Sequence, residues 1–352
     1  MDIHTVNSDT FSVEDVVKAH MEDLAVQEKF SVTQLKYWVN EEAKTIFCLM
    51  KGPDKEACHQ VHAQSHGQTA CNIIEVSDNE YNLFMGMGTD INDLAHTQSG
   101  DLDTGYRTIM LANIVYLFGN ESHNIDKVYP FINQYNGVPV LQPGSELISS
   151  FVYASDAIKC TKAIKKSLGS MQKKVEYNFA IVSGKPVDEQ GDTFFEKTKI
   201  KARSLGMLGL SNKIYLDKEA QRLSEKEVHS QKEEPENFTI VRDEDMKLII
   251  ELSEILVDKL IDSDFNSKDL ITLLGISKSQ VYRKIKLLTD MAPNQLLQEA
   301  RLQKALLSLT SSQTIAEIAY ESGFNSPSYF TRAFKKRFGI LPTDFVGEKH
   351  VN

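Results

Sequence analysis

The chain has 352 residues, 41% apolar and 25% charged, which is room for two or three ordinary domains and excludes a collagen, a coiled coil or a wholly disordered polymer. Lys and Arg number 39 against 49 Asp and Glu, a net charge of −10, so the whole molecule repels nucleic acid and anionic membranes and any DNA contact has to be local. No apolar run reaches the roughly 18 to 20 residues that span a bilayer, the start lacks a basic stretch followed by an apolar one, and Cys48, Cys58, Cys71 and Cys160 form no paired motif; these features predict a soluble, uncleaved, cytoplasmic protein with no membrane partner.

In chain order, residues 13–24 read as a helix, LKYWV (35–39) and TIFCLM (45–50) as strands joined by a turn at 40–44, and Pro53 opens a second helix that Gly67 ends. ACNIIEV (70–76) reads as another strand, giving a small α+β domain over 1–85. Residues 86–104 hold four Asp and no Lys or Arg, without a sustained apolar period, and read as a linker. The second domain, 105–216, again alternates: RTIMLANIV (107–115) and LISSFVY (147–153) as strands flanking a helix near 125–135, then an amphipathic helix over 155–168 and a buried strand over 176–184. Eleven charged side chains in residues 217–236, ended by Pro235, read as a second linker that begins as a solvated helix.

The remaining domain, 240–352, shows helical periods only. From residue 246 to the end, 14 Lys and Arg face 12 Asp and Glu, so this third is weakly positive while the rest carries −12. Residues 267–275 place Leu270, Leu273 and Leu274 on one helical face before a Gly275-Ile276-Ser277 turn, and 278–289 place Val281, Ile285 and Leu288 inward with Ser277 as cap. A similar unit follows, with Ile315, Ile318 and Ala319, a turn at Gly323, then Phe330 and Phe334 inward over 327–338. Neither of the segments around the second helices, 278–289 and 325–343, contains an acidic side chain, so the local field is positive.

The run GISKSQVYRKIKLLTDMAPNQLLQEARLQKALLSL followed by TIAEIAYESGFNSPSYFTRAFKKRFGILPTDF resembles the carboxyl-terminal domain of the AraC/XylS transcription regulators. The resemblance implies two helix-turn-helix units joined by a long helix, 293–309, holding the reading helices about 34 Å apart so that both enter successive major grooves of double-stranded DNA. It places base-edge contacts at Ser279, Tyr282, Arg283, Ser328, Thr331 and Arg332, with the two arginines able to bond guanine bidentately. The resemblance likewise places phosphate contacts at Lys278, Lys286, Lys335, Lys336 and the amides near Asn325. RNA polymerase and an unknown small-molecule or metal effector are the further partners expected, and a homodimer is expected from pairing of the middle domain.

The order RTIMLANIV, PGSELISSF, SDAIKCTKAI and EYNFAIVSGKPV resembles the catalytic domain of class III adenylate and guanylate cyclases. The metal-binding carboxylates that this resemblance requires fall on Asn113 and Ser145, and the transition-state Asn and Arg fall on Ile200 and Ser204, with Arg203 one residue and about 100° away. The domain is therefore expected to be a pairing or nucleotide-sensing module without catalytic groups; a nucleotidyl cyclase carrying a DNA-binding domain is the alternative.

FCLMKGPDKEACHQVHAQSHGQTACNIIEV (47–76) is similar to a small ferredoxin-like family for which nickel binding is reported. His62 and His66 are four apart on one helix with His59 one turn earlier, a spacing that permits chelation of Ni or Zn if a further ligand from His4, His20 or a cysteine converges. An exposed His-rich helix is the simpler account of the same spacing. The expected fold is thus two α+β, ferredoxin-like domains followed by an all-α double helix-turn-helix domain, and the expected function a non-enzymatic, metal- or ligand-responsive DNA-binding regulator, with a metal-buffering protein as a third class.

Overall fold

The computed structural model describes residues 1–7, 11–85, 93–117, 127–141, 147–170, 175–227, 238–309 and 313–350. The chain forms two compact units, one of Met1–Thr108 with Ser150–Tyr153 and Ser183–Lys199, the other of Ile109–Ser149, Ala154–Val182 and Ile200–Asn352. Among the described residues no helix is long and apolar enough to cross a membrane.

The first unit opens with a four-residue strand absent from the sequence reading, β1 (Asp2–Thr5). Then come α1 (Val13–Val26), β2 (Thr33–Asn40), β3 (Thr45–Lys51), α2 (Lys55–Ser65), β4 (Asn72–Ile73), α3 (Asp78–Met85) and the short β5 (Asp93–Leu94). Their sheet runs β4-β1-β3-β2-β5, with β1 antiparallel to both β3 and β4. Both long helices start on a side-chain cap: Ser12 accepts from the Asp15 amide and Asp54 from the Ala57 amide, each satisfying an amide that the first turn leaves unbonded. The helices cover one face of the sheet through Val16, Tyr37, Val39 and Cys48, and through Val32, Cys58 and Val61.

Composition misleads over residues 86–104. Residues 86–92 lie outside the described residues, but β5 pairs in parallel with β2, and Asp103 is buried in the same unit. Its carboxylate accepts from Arg107 Nη1 (2.9 Å) and Nη2 (2.8 Å), from Trp38 Nε1 (3.3 Å) and from the Gly105 amide (2.9 Å), while Arg107 Nε reaches the Phe84 carbonyl at 3.0 Å. Gly105 has φ +78°, and a Cβ there would meet Phe47 at 2.9 Å and Trp38 at 3.1 Å, so only glycine lets the chain pass. One buried ion pair and one close approach order a segment with too little apolar side chain to order itself.

The second sheet is built from β6 (Arg107–Tyr116), β7 (Val138–Leu141), β8 (Leu147–Phe151), β9 (Val175–Gly184), β10 (Lys213–Asp217) and β11 (Phe238–Val241) in the order β11-β10-β9-β6-β8-β7. Its helices are α4 (Tyr129–Gln134), α5 (Ala154–Gly169), α6 (Glu196–Gly206) and α7 (Lys218–Glu227). The charged stretch after residue 217 is structural at its start. Asp217 caps α7 at the Ala220 amide, and Glu227 at its end accepts from the first amides of α5, Ala154 (3.0 Å) and Ser155 (2.7 Å). Residues 228–237 lie outside the described residues. β11 then adds a parallel strand beside β10 at a place where only helical periods were expected.

From α8 (Asp243–Lys259) onward the described residues form helices: α9 (Ser267–Leu273), α10 (Lys278–Thr289), α11 (Pro293–Ser308), α12 (Ile315–Glu321), α13 (Pro327–Phe338) and α14 (Pro342–His350). One hydrophobic cluster continues from the sheet into this bundle, joining Val115, Leu117 and Leu210 to Leu302, Leu306, Phe324, Phe330, Phe334, Phe338 and Phe345. The bundle is therefore packed on the second sheet, and burial of those aromatic rings, each worth about 2 to 3 kcal/mol in transfer terms, opposes its release.

The turns of the two helix-turn-helix units differ in their tolerance. Gly323 has φ +81° and a Cβ there would lie 2.2 Å from the Leu260 carbonyl oxygen, whereas Gly275, at φ +63°, has nothing within 4 Å. Gly275→Ala should cost about 1 kcal/mol, the backbone penalty alone. Gly323→Ala adds a backbone collision and should cost about 3 kcal/mol or more. Urea unfolding of the full chain measures both, and equal losses would contradict the difference in packing.

Candidate nucleic-acid interface and candidate metal centre

Both second helices of the carboxyl-terminal bundle are fixed by local chemistry. At α10, Ser277 accepts from the Gln280 amide and Gln280 Oε1 accepts from the Ser277 amide at 3.2 Å, a reciprocal capping box. Val281, Ile285 and Leu288 are buried, which turns Lys278, Ser279, Arg283 and Lys286 outward; Tyr282 is half-buried with the Lys278 ammonium 5.8 Å from its ring centre. At α13, Ser326 accepts from the Tyr329 amide, Phe330, Phe334 and Phe338 are fully buried, and Gly339 closes the helix at φ +84°. Asn325, Ser328, Arg332, Lys335 and Lys336 are exposed. Thr331 is half-buried and its hydroxyl donates to the Pro327 carbonyl at 2.9 Å, so that proton is already spent within the helix.

The cations of these faces differ from their neighbours. Among the described residues Lys278, Arg283, Lys286, Arg332, Lys335 and Lys336 take part in no ion pair, whereas Lys284 bonds Asp245 and Arg337 bonds Glu299 and Glu176. Six unneutralised charges on two helices, in a chain of net charge −10, concentrate positive potential on the faces that Phe330, Phe334, Val281 and Ile285 leave outward.

The metal-ligand candidates assemble differently from the expected His59, His62 and His66. His62 lies where two groups meet. Donor atoms of Asp2, His4, Cys48 and His62 all lie within 4.8 Å of one another, and so do those of Asp23, His62 and His66. His59 belongs to neither group, nor do His20, which stacks on Tyr37 at 4.2 Å, and the thiols of Cys58 and Cys71. The reason is topological. Asp2 and His4, two apart on β1, point to one side of the sheet, Cys48 comes from β3, Asp23 from α1 and His62 from α2, so the convergence is long-range and helical spacing alone does not show it.

His62 Nε2 lies 2.9 Å from Asp2 Oδ2 and Nδ1 lies 3.0 Å from Asp23 Oδ2, with His66 Nε2 3.3 Å from Asp23 Oδ1 and His4 Nε2 3.5 Å from Asp2 Oδ2. Burial works against charge on His62, but its bonds to the two carboxylates outweigh that and push its pKa up to about 10. Burial likewise opposes ionisation of Asp2 and Asp23, yet contacts with His4, His62 and His66 hold both well below the usual carboxylate range. Burial, with Asp2 beside it, drives the Cys48 thiol well above its ordinary value.

Two ring nitrogens of this cluster, His4 Nε2 and His62 Nδ1, are buried and make no hydrogen bond of good geometry, although each has a carboxylate oxygen within 3.5 Å. Such a nitrogen costs about 1 to 3 kcal/mol unless something satisfies it. Two imidazoles, a thiol and a carboxylate form a donor set suited to a borderline divalent ion, and a cation among them would repay deprotonation of Cys48 and His62. The residues fit a transition metal.

Of the four positions that would be catalytic in a cyclase, Asn113 and Ser204 have structural partners. Asn113 Nδ2 donates to the Gly206 carbonyl at 3.3 Å, Ser204 and Ser253 share a buried hydroxyl bond of 2.7 Å, and Ile200 is 40% exposed; Ser145 lies outside the described residues.

Two family models match: a helix-turn-helix domain over residues 270–347, and the nickel responsive protein SCO4226-like family over residues 1–76. Histidine kinase P4 of Formosa agariphila is 33% identical over 102 residues, 29% of this chain and 7% of that protein. An uncharacterized HTH-type transcriptional regulator of Pseudoalteromonas carrageenovora is 29% identical over 97 residues, 28% of this chain and 58% of that protein. The chain thus spans less than two thirds of the length of these relatives. The crystal structure of SCO4226 from Streptomyces coelicolor is 33% identical, covering 21% of this chain and 90% of that one, with a TM-score of 0.20. The chain carries an AraC-type helix-turn-helix domain at its carboxyl-terminal end and an SCO4226-like, nickel-responsive type of domain at its amino-terminal end.

Proposed function

We propose that this chain is a sequence-specific DNA-binding transcription regulator of the AraC type, acting in the cytoplasm, whose reading helices are α10 and α13. The observation that carries this is the pair of capped helices with apolar inner stripes and unpaired outward cations in an otherwise acidic molecule. Arg283 and Arg332 read guanine edges bidentately, about 1 to 3 kcal/mol of discrimination each, with Ser279, Tyr282 and Ser328 beside them. Thr331, its hydroxyl proton engaged, offers its methyl group to thymine. Lys278, Lys286, Lys335, Lys336 and the amides near Asn325 hold phosphates in successive grooves.

The three-domain reading, 1–85, 105–216 and 240–352, assigns sensing to the first domain and pairing of two chains to the second. Strand order supports a ferredoxin-like fold for both sheets: β4-β1-β3-β2 in the first and β9-β6-β8-β7 in the second are the same 4-1-3-2 arrangement of a βαββαβ chain. In the first domain Asp2, His4, Cys48 and His62, whose donor atoms lie within 4.8 Å of one another, hold a nickel or zinc ion. A homodimer brings two DNA-binding domains to one operator, raising affinity through effective concentration, and contacts RNA polymerase from there.

Selection of a random duplex pool with the full chain tests the DNA reading, and enrichment of no sequence would refute it. With the selected duplex, Arg283→Ala should lose preference at one half of the site, a factor of about ten. Lys336→Ala should weaken all sequences alike and flatten the salt slope by about one unit; identical effects from the two variants would dissolve the division between readers and anchors. For the metal, equilibrium dialysis against Ni²⁺ or Zn²⁺ should show one tight ion per chain, weakened at least about tenfold in His4→Ala and unchanged in His59→Ala. A greater loss in His59→Ala would return the site to the helix alone.

A further inference from the structure

Arg337 follows Lys335 and Lys336 directly on α13, yet it takes no part in the outward cationic face. Its Nε and Nη2 donate to the two Glu299 oxygens at 2.6 and 2.9 Å, Nη1 donates to Glu176 Oε1 at 2.8 Å, and Nη2 also reaches the Leu210 carbonyl at 2.6 Å. Glu299, on α11, is 5% exposed, and Glu176, on β9, is 4% exposed. A single guanidinium therefore ties the second reading helix both to the linking helix and to the sheet. The first reading helix has its own tie. Lys213 and Tyr215, on β10, both donate to the Leu288 carbonyl near the end of α10, at 2.9 and 3.2 Å, and Lys213 also pairs with Asp290 at 2.8 Å. β9 and β10 are adjacent parallel strands, with Lys213 in register with Asn178. The two reading helices are thus bonded to the starts of neighbouring strands, about 4.8 Å apart across the ladder.

We propose that the β9–β10 pair is a ruler for DNA recognition: it sets the separation and tilt of α10 and α13, with Arg337 and Lys213 as positioning residues and Glu176 as the anchor for the second helix. This rests on the DNA-binding reading and deepens it. In an isolated double helix-turn-helix domain α11 alone spaces the two helices; here the sheet is a second, independent brace. Buried carboxylates make that brace discrete, because Glu176 and Glu299 out of water need the guanidinium, and a half-broken contact strands a charge. A change in the sheet that moved Glu176 would reach the second half-site without passing through the first.

The test uses the full chain and the duplex selected with it, together with duplexes carrying one base pair inserted or deleted between the two half-sites. Wild type should discriminate sharply between the spacings. In Glu176→Gln, which keeps the side chain's size, discrimination between native and altered spacing should fall about tenfold, a coupling of the usual size for a remote positioning contact. The salt slope should stay the same, since neither Glu176 nor Arg337 touches a phosphate. Lys213→Met should relax spacing in the same sense. An unchanged spacing ratio in Glu176→Gln and Lys213→Met would overturn the ruler and leave α11 as the sole spacer, and so would an equal loss of affinity at every spacing. Failure of the wild-type chain to enrich any duplex would sink the DNA reading and the ruler together, whereas an enriched duplex with an unchanged ratio sinks the ruler alone.

Discussion

Charge removed from water has to be matched, and three buried charge clusters determine where distant parts of this chain meet. Asp103 with Arg107 draws residues 93–108 onto Trp38 and Phe84; Asp2, Asp23 and His62 join β1, α1 and α2; Arg337 with Glu176 and Glu299 joins α13, β9 and α11. Each is strongly destabilising if one partner is lost, by about 3 to 5 kcal/mol, because the charge left behind is still buried. Hydrophobic burial supplies the bulk of the stability but is tolerant of small displacements; these hydrogen-bonded ions are not, and they specify one arrangement.

The same allocation of charge explains how an acidic molecule presents a cationic face. Several acidic side chains in and beside the bundle are already engaged: Asp245 with Lys284 and Arg242, Glu299 and Glu176 with Arg337, Asp269 with the Asn266 cap. The lysines and arginines on the outer sides of α10 and α13 are left without carboxylates. Net charge is then a poor guide to local potential, which follows from the few residues within about one Debye length, roughly 8 to 10 Å at physiological salt.

Where structure is set by neighbours in sequence, the sequence shows it. The bounds of α10 and α13 follow from Ser277, Ser326 and Gly339, and their faces from Val281, Ile285, Phe330 and Phe334; all of that is local capping and a 3.6-residue period. Where structure depends on partners far along the chain, the signal is missing. β1 is four residues, too short to establish a period, and β11 is a four-residue, mostly apolar run beside a charged stretch whose place in a sheet is given only by its pairing with β10. The candidate ligand cluster suffers most from this. His62 and His66 are legible as a helical pair, but Asp2, Cys48 and Asp23 become ligand candidates only when β1, β3 and α1 are brought beside α2, and His59, equally plausible by spacing, falls outside. Arg337 was hidden for a related reason. In sequence it continues a run of cations, and only burial of Glu176 and Glu299 separates it from Lys335 and Lys336.

A metal can alter DNA binding only through a difference in affinity between two states of the chain; a tenfold effect on the operator needs about 1.4 kcal/mol of such difference. In the first unit the candidate ligands of β1 are tied, through the neighbouring strand, to a distant segment of chain. Asp2 and His4 lie on β1, and β1 pairs with β4 through Ile3 and Asn72. The Asn72 amide donates at 2.7 Å to both the Asp188 and Gly191 carbonyls, fixing a loop that comes from more than a hundred residues downstream. Loss of one such bond is worth about 1 kcal/mol, the same size as the coupling required. One side-chain amide thus joins the strand beside β1 to a loop far along the chain, and the tie is lost whenever either carbonyl moves out of reach.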